Sequence, residues 1–394
     1  MPRVQASPGT GMTHDRVFTG KFFLVCFTNS LEFMTVYALL ITLPVFAVTR
    51  LGAPEGLAGL VTATVSIASI LALPYLGHLV DRFGRTPFMR LGLAVLLAET
   101  LALHFVSWLP LLVVIGMLTG GAMASFQIGA TTLVADLAPA HRRGEAMGIF
   151  GTFSTTAMAL APAVSTFVML NSGFTAVFAL SSALAGVGLV LSLLVREPVG
   201  RTEISSHGPF LARAALLSGV CIFSITLTYG ALVSFLPGYA PKIGLGNVGL
   251  FFTVFAISSL LVRFLAGTLS DRIGRVPVII PALFLTAVGM ALLAQTDSPV
   301  MVLVAAALYG LGYGCTHPTA MALAVDLAGP GQRASGIATF SISYNVGIVV
   351  GSLGMGYLLA MTSFKVMAAI AGAAPLLAMA LLYLRRQSAP APGR

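Results

Sequence analysis

The chain has 394 residues, of which 57% are hydrophobic and 8% are charged, and its mean hydropathy is +0.98. A soluble protein of this length cannot hide so much apolar surface, so the composition predicts a membrane protein. The formal net charge of +9 comes without a contiguous basic face or an aromatic platform, which argues against a nucleic-acid-binding protein.

In chain order, residues 1–20 are polar and predict a disordered tail. Twelve apolar segments follow, each long enough to cross a bilayer as a helix, and none alternates like a strand of a membrane barrel. The predicted spans, numbered 1 to 12, are 21–49, 56–80, 87–107, 109–136, 145–170, 173–195, 213–240, 247–270, 277–296, 299–327, 333–360 and 363–385. The expected fold is an all-α membrane protein with twelve transmembrane helices.

Positively charged residues predict the orientation of these spans. With both termini in the cytoplasm, most of the 21 Lys and Arg residues fall on the cytoplasmic side, as the positive-inside rule requires. Arg50, Lys242 and Lys365 fall on the opposite side, and Arg263 falls within span 8. We therefore expect a multi-pass protein of the cell inner membrane, embedded in the lipid bilayer, with both termini cytoplasmic.

A charged phrase occurs twice in this apolar chain. GHLVDRFGRTP at 77–87 returns as GTLSDRIGRVP at 267–277, shifted by 190 residues, and the stretch at 133–148 matches that at 323–338 with the same shift. The repeat predicts two pseudo-symmetric six-helix halves. Their bounds are expected at 21–195 and 213–386, with a cytoplasmic linker at 196–212 and a tail at 387–394. Parallel halves with a substrate site between them are a known transporter plan.

Twelve helices, a 6+6 repeat and the phrase G-x-L-x-D-R-x-G-R between spans 2 and 3 and between spans 8 and 9 resemble the major facilitator superfamily. The resemblance covers residues 21–386 and implies alternating access. In that family the phrase helps to latch the cytoplasmic ends of the two halves in the outward-facing state. Ion pairs at a lipid–water boundary can form in one conformation and break in the other.

The expected conformational latch contains the charged and glycine residues of the repeated phrases and of their matched acidic and basic partners. Arg263, two turns before Asp271, is grouped with the latch rather than with substrate contact. The latch residues are Asp81, Arg82, Gly84, Arg85, Asp136, Arg143, Arg263, Asp271, Arg272, Gly274, Arg275, Asp326 and Arg333.

Glu32 is the most informative residue of span 1. It lies eleven residues after Lys21, roughly 16 Å along a helix, and so near the middle of the bilayer. A carboxylate at that depth is costly, and we expect it to be protonated, paired or wetted in each conformation. The segment 31–44 resembles the first helix of multidrug:proton antiporters of the superfamily, which implies proton and substrate recognition by Glu32.

His317 in span 10 and Gln127 in span 4 are repeat mates, 190 residues apart. The resemblance implies that spans 1, 4, 7 and 10 line a central cavity, so these two side chains are expected to face each other across it. Histidine titrates near physiological pH, which makes His317 the second proton-coupling candidate beside Glu32. The predicted substrate-binding set is Asn29, Glu32, Tyr37, Gln127, Tyr229, His317 and Tyr344.

Two features bear on the antiporter resemblance. Span 5 keeps the spacing of the family's antiporter signature through Gly148 and Pro162, but three of its glycines are replaced by Ala or Ser. In span 4, Gly116 stands where proton antiporters of this group usually carry an arginine. Three alternatives follow: Glu32 titrates without an arginine partner, coupling differs, or there is none.

The sequence contains no phosphate loop, no metal-ligand spacing and no concentrated catalytic cluster, so we expect neither an enzyme nor a cofactor or metal. Glu99 and His104 lie in span 3, outside the cavity-lining set, and are assigned no role. The predicted function is secondary active transport by a monomer, as a proton-coupled exporter of a small amphipathic organic compound such as a drug, a metallophore or a metabolite. The alternatives are an uptake symporter or facilitator and, less favoured, a membrane receptor or a lipid-acting enzyme.

Overall fold

The computed structural model describes residues 19–138, 143–195, 212–245, 247–329 and 332–388, and these residues form helices without any strand. The helices are α1 (Gly20–Thr49), α2 (Ala58–Phe83), α3 (Arg85–Ala102), α4 (Leu109–Leu137), α5 (Arg143–Leu194), α6 (Leu216–Tyr239), α7 (Gly249–Ile273), α8 (Arg275–Gln295), α9 (Pro299–Ala328), α10 (Arg333–Val349), α11 (Met355–Met361) and α12 (Phe364–Ser388). Most of the predicted tails and of the linker lies outside the described residues.

α5 contains two of the predicted spans. Gly173 has φ 79° and ψ −179°, which interrupts the helical backbone. Phe178, just after the interruption, packs on Phe46 near the end of α1, whereas Val195, just past the end of α5, accepts a hydrogen bond from Arg90 near the start of α3. The chain therefore reverses at Gly173 and crosses the bundle twice.

Two other predicted spans are irregular. Span 11 consists of α10, a five-residue π-helical segment at Val350–Gly354, and α11. α7 bends by 41° between Gly249–Arg263 and Leu265–Ile273. In the described ranges, nine helices are long and apolar enough to cross a membrane, or ten with the bent α7. Counting α5 twice and adding the apolar segment Ala58–Leu73 of α2 gives the twelve-helix architecture that the sequence predicts.

Successive membrane-spanning segments run in opposite directions, so their connections fall on two faces of the bundle. The terminal face carries the start of α1, the end of α12 and the turns at Gly84 and Gly274. The far face carries the connections at 50–57, 103–108, 240–248, 296–298 and 362–363. Below, α1–α5 are called the N half and α6–α12 the C half.

The bundle has a buried centre and an apolar surface. α1 and α6 are central, and most of their residues are buried. Leu71 and Tyr75 in α2 are 64% and 73% exposed, and Leu261 and Leu265 in α7 are 66% and 67% exposed. These pairs are spaced by four residues, so each forms a stripe along one side of its helix. Apolar stripes of this kind suit a lipid environment rather than water.

The repeated phrase folds in the same way in both halves. Gly84 and Gly274 have φ of 104° and 95°, a backbone conformation that favours glycine, and each joins two helices by a tight turn. The following arginines bind equivalent aspartates: Arg85 Nε is 3.0 Å from Asp136 Oδ2, and Arg275 Nε is 3.1 Å from Asp326 Oδ2. These partners are the pairs that the 190-residue shift superimposes.

The two halves meet at the far face. Lys242 Nζ of the C half is 3.0 Å from Glu55 Oε1 of the N half, and Ser234 Oγ donates to Thr62 Oγ1 at 3.3 Å. Gly59 of α2 packs so closely on the π-helical segment that an added Cβ would lie 2.0 Å from the Ser352 carbonyl oxygen. The far face is therefore closed in this conformation.

The two arginine–aspartate pairs should differ in their contribution to stability. The side chains of Arg85 and Asp136 are 5% and 8% exposed, whereas those of Arg275 and Asp326 are 24% and 53% exposed. Arg85→Gln removes the cation of a buried ion pair and should lower the free energy of unfolding by about 3–5 kcal/mol. Arg275→Gln should lower it by about 1 kcal/mol or less.

The measurement is reversible unfolding of the purified protein in mixed micelles, followed by circular dichroism, with Arg275→Gln as the matched control. If both variants lost the same free energy of unfolding, the buried and the exposed arginine–aspartate pairs would contribute equally to stability, and the prediction would be wrong.

Candidate substrate and proton site

Glu32 lies at the centre of a polar cluster in the N half. It is fully buried on α1, and its Oε2 accepts a hydrogen bond from Gln127 Nε2 of α4 at 3.1 Å. The same amide donates to Asn29 Oδ1 at 3.2 Å, and Asn29 Nδ2 donates to Ser154 Oγ of α5 at 2.6 Å. Three helices thus bring Glu32, Gln127, Asn29 and Ser154 into one hydrogen-bonded network.

The Glu32 network contains no positive charge. Among the described residues no Lys, Arg or His forms an ion pair with Glu32, and its Oε1 is buried without a hydrogen-bond partner. The Gln127 amide bridges Asn29 and Glu32. A buried carboxyl group with one neutral donor is poorly compensated as an anion, so the site favours its protonated form.

Gly116 lies where α4 packs against α2. A Cβ added to Gly116 would lie 2.5 Å from Thr64 Oγ1 and 3.2 Å from the Val61 carbonyl oxygen, so there is little space beside α2 at this position. The arginine that the resemblance implies is absent here, and Gln127, three turns further along α4, contacts Glu32 instead.

A cluster of aromatic side chains lies beside the polar network. Tyr37 and Tyr344 share a hydrogen bond of 2.7 Å between their hydroxyl groups, which joins α1 of the N half to α10 of the C half. Tyr344 also donates to Met158 Sδ of α5 at 3.6 Å. This contact places the predicted residues Tyr37 and Tyr344 at the meeting surface of the halves.

Tyr229 and His317 extend the aromatic cluster into the C half. The Tyr229 ring lies 6.5 Å from that of Tyr37 and 5.3 Å from that of Tyr313, and Tyr313 stacks on His317 at 6.0 Å. His317 also meets the Tyr344 ring edge to face at 5.8 Å. The structure therefore brings the predicted aromatic residues and His317 together, and adds Tyr313, which sequence reasoning missed.

Gln127 and His317, which are predicted to face each other across a central cavity, lie in different halves and contact different partners. Gln127 is engaged with Glu32 and Asn29, and His317 is engaged with aromatic rings. Both side chains are half-buried. They belong to neighbouring clusters, one in each half, that the Tyr37–Tyr344 hydrogen bond connects.

The predicted latch residues are found at the terminal face. Asp271 pairs with Arg275 one turn later, within the C half, and its side chain is 66% exposed. Arg82 and Arg272 are exposed near the ends of α2 and α7. The side chains of Asp81, Arg143 and Arg333 lie outside the described part of the structure. The latch pairs that the structure does describe are thus made within one half.

Arg263 lies at the bend of α7, two turns from Asp271, whose partner is Arg275. Its Nε is buried without a hydrogen-bond partner among the described residues. α7 packs on α9 where Gly314 meets the Ser259 carbonyl oxygen, so Arg263 and His317, about one turn further on, lie at a similar level of the C half. A role of Arg263 in the latch stays a prediction.

Glu99 and His104 lie apart from both clusters. Glu99 is buried between α3 and α4, where Thr119 Oγ1 donates to its Oε1 at 2.8 Å. His104 is exposed at the far face, with its ring 5.8 Å from that of Phe178. Neither residue reaches the contact between the halves.

A profile of the Major Facilitator Superfamily matches residues 25–246 and 218–394. Together these ranges cover nearly the whole chain, so the protein belongs to the major facilitator superfamily and is a membrane transporter rather than an enzyme. Within that family it resembles the drug:proton antiporter branch.

Named relatives and solved structures agree with this assignment. The chain is 26% identical over 315 residues to the multi-drug resistance efflux pump PmrA of Streptococcus pneumoniae serotype 4, covering 75% of this chain and 77% of PmrA. It is 26% identical over 352 residues to the multidrug resistance protein MdtG of Salmonella choleraesuis, covering 84% and 85% of the two chains. A crystal structure of a D-xylose-proton symporter superimposes with a TM-score of 0.77 at 17% identity, covering 92% of this chain and 97% of the symporter.

The Tyr37–Tyr344 hydrogen bond should hold the two halves together at mid-depth. Tyr37→Phe removes one hydroxyl and about 1 kcal/mol of net hydrogen-bond energy, which corresponds to a shift of roughly fivefold toward separated halves. Spin labels at Leu57→Cys in the N half and Leu250→Cys in the C half, both exposed near the far face, report this shift as a longer distance population.

Tyr239→Phe is the matched control for this measurement. The Tyr239 hydroxyl donates to Asp297 Oδ1 at 3.2 Å, a contact within the C half. The same distance distribution in Tyr37→Phe, in the control and in the parent would show that the cross-half hydrogen bond contributes nothing to closure.

Proposed function

We propose that this transporter exports a small amphipathic organic compound in exchange for protons, by alternating access in the cell inner membrane, with both termini in the cytoplasm. The observation that carries the proposal is the fully buried Glu32 carboxyl, bonded to a neutral amide and placed five residues before Tyr37, the residue that contacts the opposite half. A proton site next to the moving contact can couple protonation to conformation.

The coupling step follows from the surroundings of Glu32. With the far face closed and its Oε1 unpartnered, Glu32 carries a proton. Substrate that enters between the halves from the terminal face offers Glu32 a new partner in place of that proton. The two ligands therefore compete for one carboxyl group, and the proton that leaves to the cytoplasm is replaced from the far side after the substrate has left.

The proposed direction of transport, export, is supported by the names of two relatives. PmrA and MdtG, each 26% identical to this chain over at least three quarters of its length, are named as multidrug efflux and resistance proteins. The D-xylose-proton symporter shares 17% identity, a level that supports a common fold only. An uptake symporter or facilitator is the alternative that the transport experiment must separate from export.

Glu32→Gln keeps the hydrogen-bonding shape of the side chain and removes its exchangeable proton. We expect it to abolish uphill transport while substrate binding or exchange is retained, because the amide cannot cycle between charged and neutral forms. The measurement is transport by proteoliposomes with an imposed pH gradient, with a panel of amphipathic fluorescent compounds that includes dansylated amino acids and ethidium.

Glu99→Gln is the matched control, because Glu99 is also a buried carboxyl group with one hydrogen bond from a neutral donor, Thr119, but lies outside the contact between halves. It should keep gradient-driven transport. If Glu32→Gln transports uphill as well as the parent, and transport ignores pH, Glu32 is structural and the facilitator alternative is favoured.

Asp271 is the residue at which the latch can be tested. It pairs with Arg275, within the C half, in this conformation with a closed far face. We expect Asp271 to stabilise closure of the terminal face in the opposite conformation, so Asp271→Asn should shift the resting protein toward an open terminal face. Labels at Lys21→Cys and Arg213→Cys, exposed on the two halves, should report a larger population of long distances.

Asp297→Asn, the same substitution on the far face, serves as the control. Asp297 is exposed and pairs with Lys365. Distance distributions that are the same in Asp271→Asn and in the parent would contradict a latch at Asp271.

A further inference from the structure

We infer that Arg263 and His317 form a binding site for a carboxylate group, so that the transported compounds are amphipathic zwitterions, with an acid bound in the C half and a basic group bound at Glu32. This inference rests on the proposed competition at Glu32 and names the class of substrate for that same site.

The packing of α7 on α9 brings Arg263 and His317 to the same level. An added Cβ on Gly310 would lie 2.6 Å from the Phe255 carbonyl oxygen, and one on Gly314 would lie 2.5 Å from the Ser259 carbonyl oxygen. The contacts advance by four residues on both helices, so α7 and α9 run side by side in the same direction. One further turn reaches Arg263 on α7 and His317 on α9.

The guanidinium group of Arg263 lacks an acidic partner. Its Nε is buried without a hydrogen-bond partner, and among the described residues no carboxylate forms an ion pair with it. Asp271, on the same helix, binds Arg275, and Glu32 is held by Gln127 in the other half. A cation within the membrane needs an anion or water, and the protein residues described here supply no such anion.

A carboxylate matches the Arg263 guanidinium group in charge and shape. A guanidinium group presents parallel N–H donors that fit the two oxygens of a carboxylate. Arg263 and His317 are both half-buried, whereas Tyr313 beside them is fully buried. The two polar groups therefore keep an accessible side on which a ligand can bind.

The aromatic rings that contact His317 suit the apolar body of the ligand. The Phe340 ring lies 5.5 Å from that of His317, and Tyr344 meets both His317 and, through its hydroxyl, Tyr37 of the N half. A ligand that follows this surface has Arg263 at one end and the Glu32 network at the other. Opposite charges at the two ends of one aromatic surface select a compound with an acidic and a basic group.

Three fluorescent probes separate the two ends. Nα-dansyl-lysine carries a carboxylate and an amine, Nα-dansyl-lysinamide carries the amine only, and Nα-dansyl-norleucine carries the carboxylate only. Binding to the purified full-length protein in nanodiscs is followed by dansyl fluorescence, in the parent and in Arg263→Gln, Arg263→Lys and Glu32→Gln.

Arg263→Gln should raise the Kd of both carboxylate probes by about tenfold or more, the usual size of a charge-assisted hydrogen bond, and that of the amide probe by less than about twofold. Arg263→Lys, which keeps the charge but not the fork of donors, should give an intermediate loss. Arg213→Gln is the matched control, since Arg213 is exposed at the start of the C half. Retained binding of the amide probe shows that the Arg263 variants are folded.

The inference is overturned if Arg263→Gln weakens all three probes equally, if the carboxylate adds nothing to binding by the parent, or if the parent binds none of the probes. The measurements on Glu32→Gln test the proposed competition at Glu32 separately. Loss of carboxylate binding in Arg263→Gln, with amine binding unchanged in Glu32→Gln, would leave the carboxylate site standing and refute competition at Glu32.

Discussion

A hydrocarbon interior offers polar side chains no water, so each of them must find its partner on another helix or be neutral. This constraint shapes the centre of the protein. Glu32 is held by an amide from α4, and Glu99 is held by a hydroxyl from α4. Each of these two carboxyl groups keeps one oxygen without a partner but can be neutral, whereas Arg263, whose Nε also lacks a partner among the described residues, stays charged. The proposed ligand would bind at this cation.

The proposed ligand site and the contact between the halves use the same side chains. Tyr37 and Tyr344 form the hydrogen bond that joins the halves at mid-depth, and the proposed ligand binds along their rings. In this proposal a ligand that inserts between the rings breaks that bond, and its departure restores it. Ligand binding and contact between the halves would then compete for one pair of hydroxyl groups, which is a simple physical basis for alternating access.

Periodicity and repetition were sufficient to predict the helical spans and to superimpose Arg85 on Arg275 and Asp136 on Asp326. They could not give the ion pairs between these residues, or the rotation and depth of one helix against another. For that reason Ser154 and Tyr313 were missed. The spacing of Gly310 and Gly314, which sets α7 against α9, was the available signal for the position of Arg263.

The contact between Gly59 and the π-helical segment has a consequence for the kinetics of opening. The backbones of Gly59 and Ser352 are in contact with no room for a methyl group between them. The two halves therefore cannot separate gradually at this point without admitting water. When the halves part there, the Ser352 carbonyl must exchange a packed neighbour for solvent. Opening of the far face is in this sense a wetting transition, whose barrier depends on how readily the first water molecules enter a gap between helices.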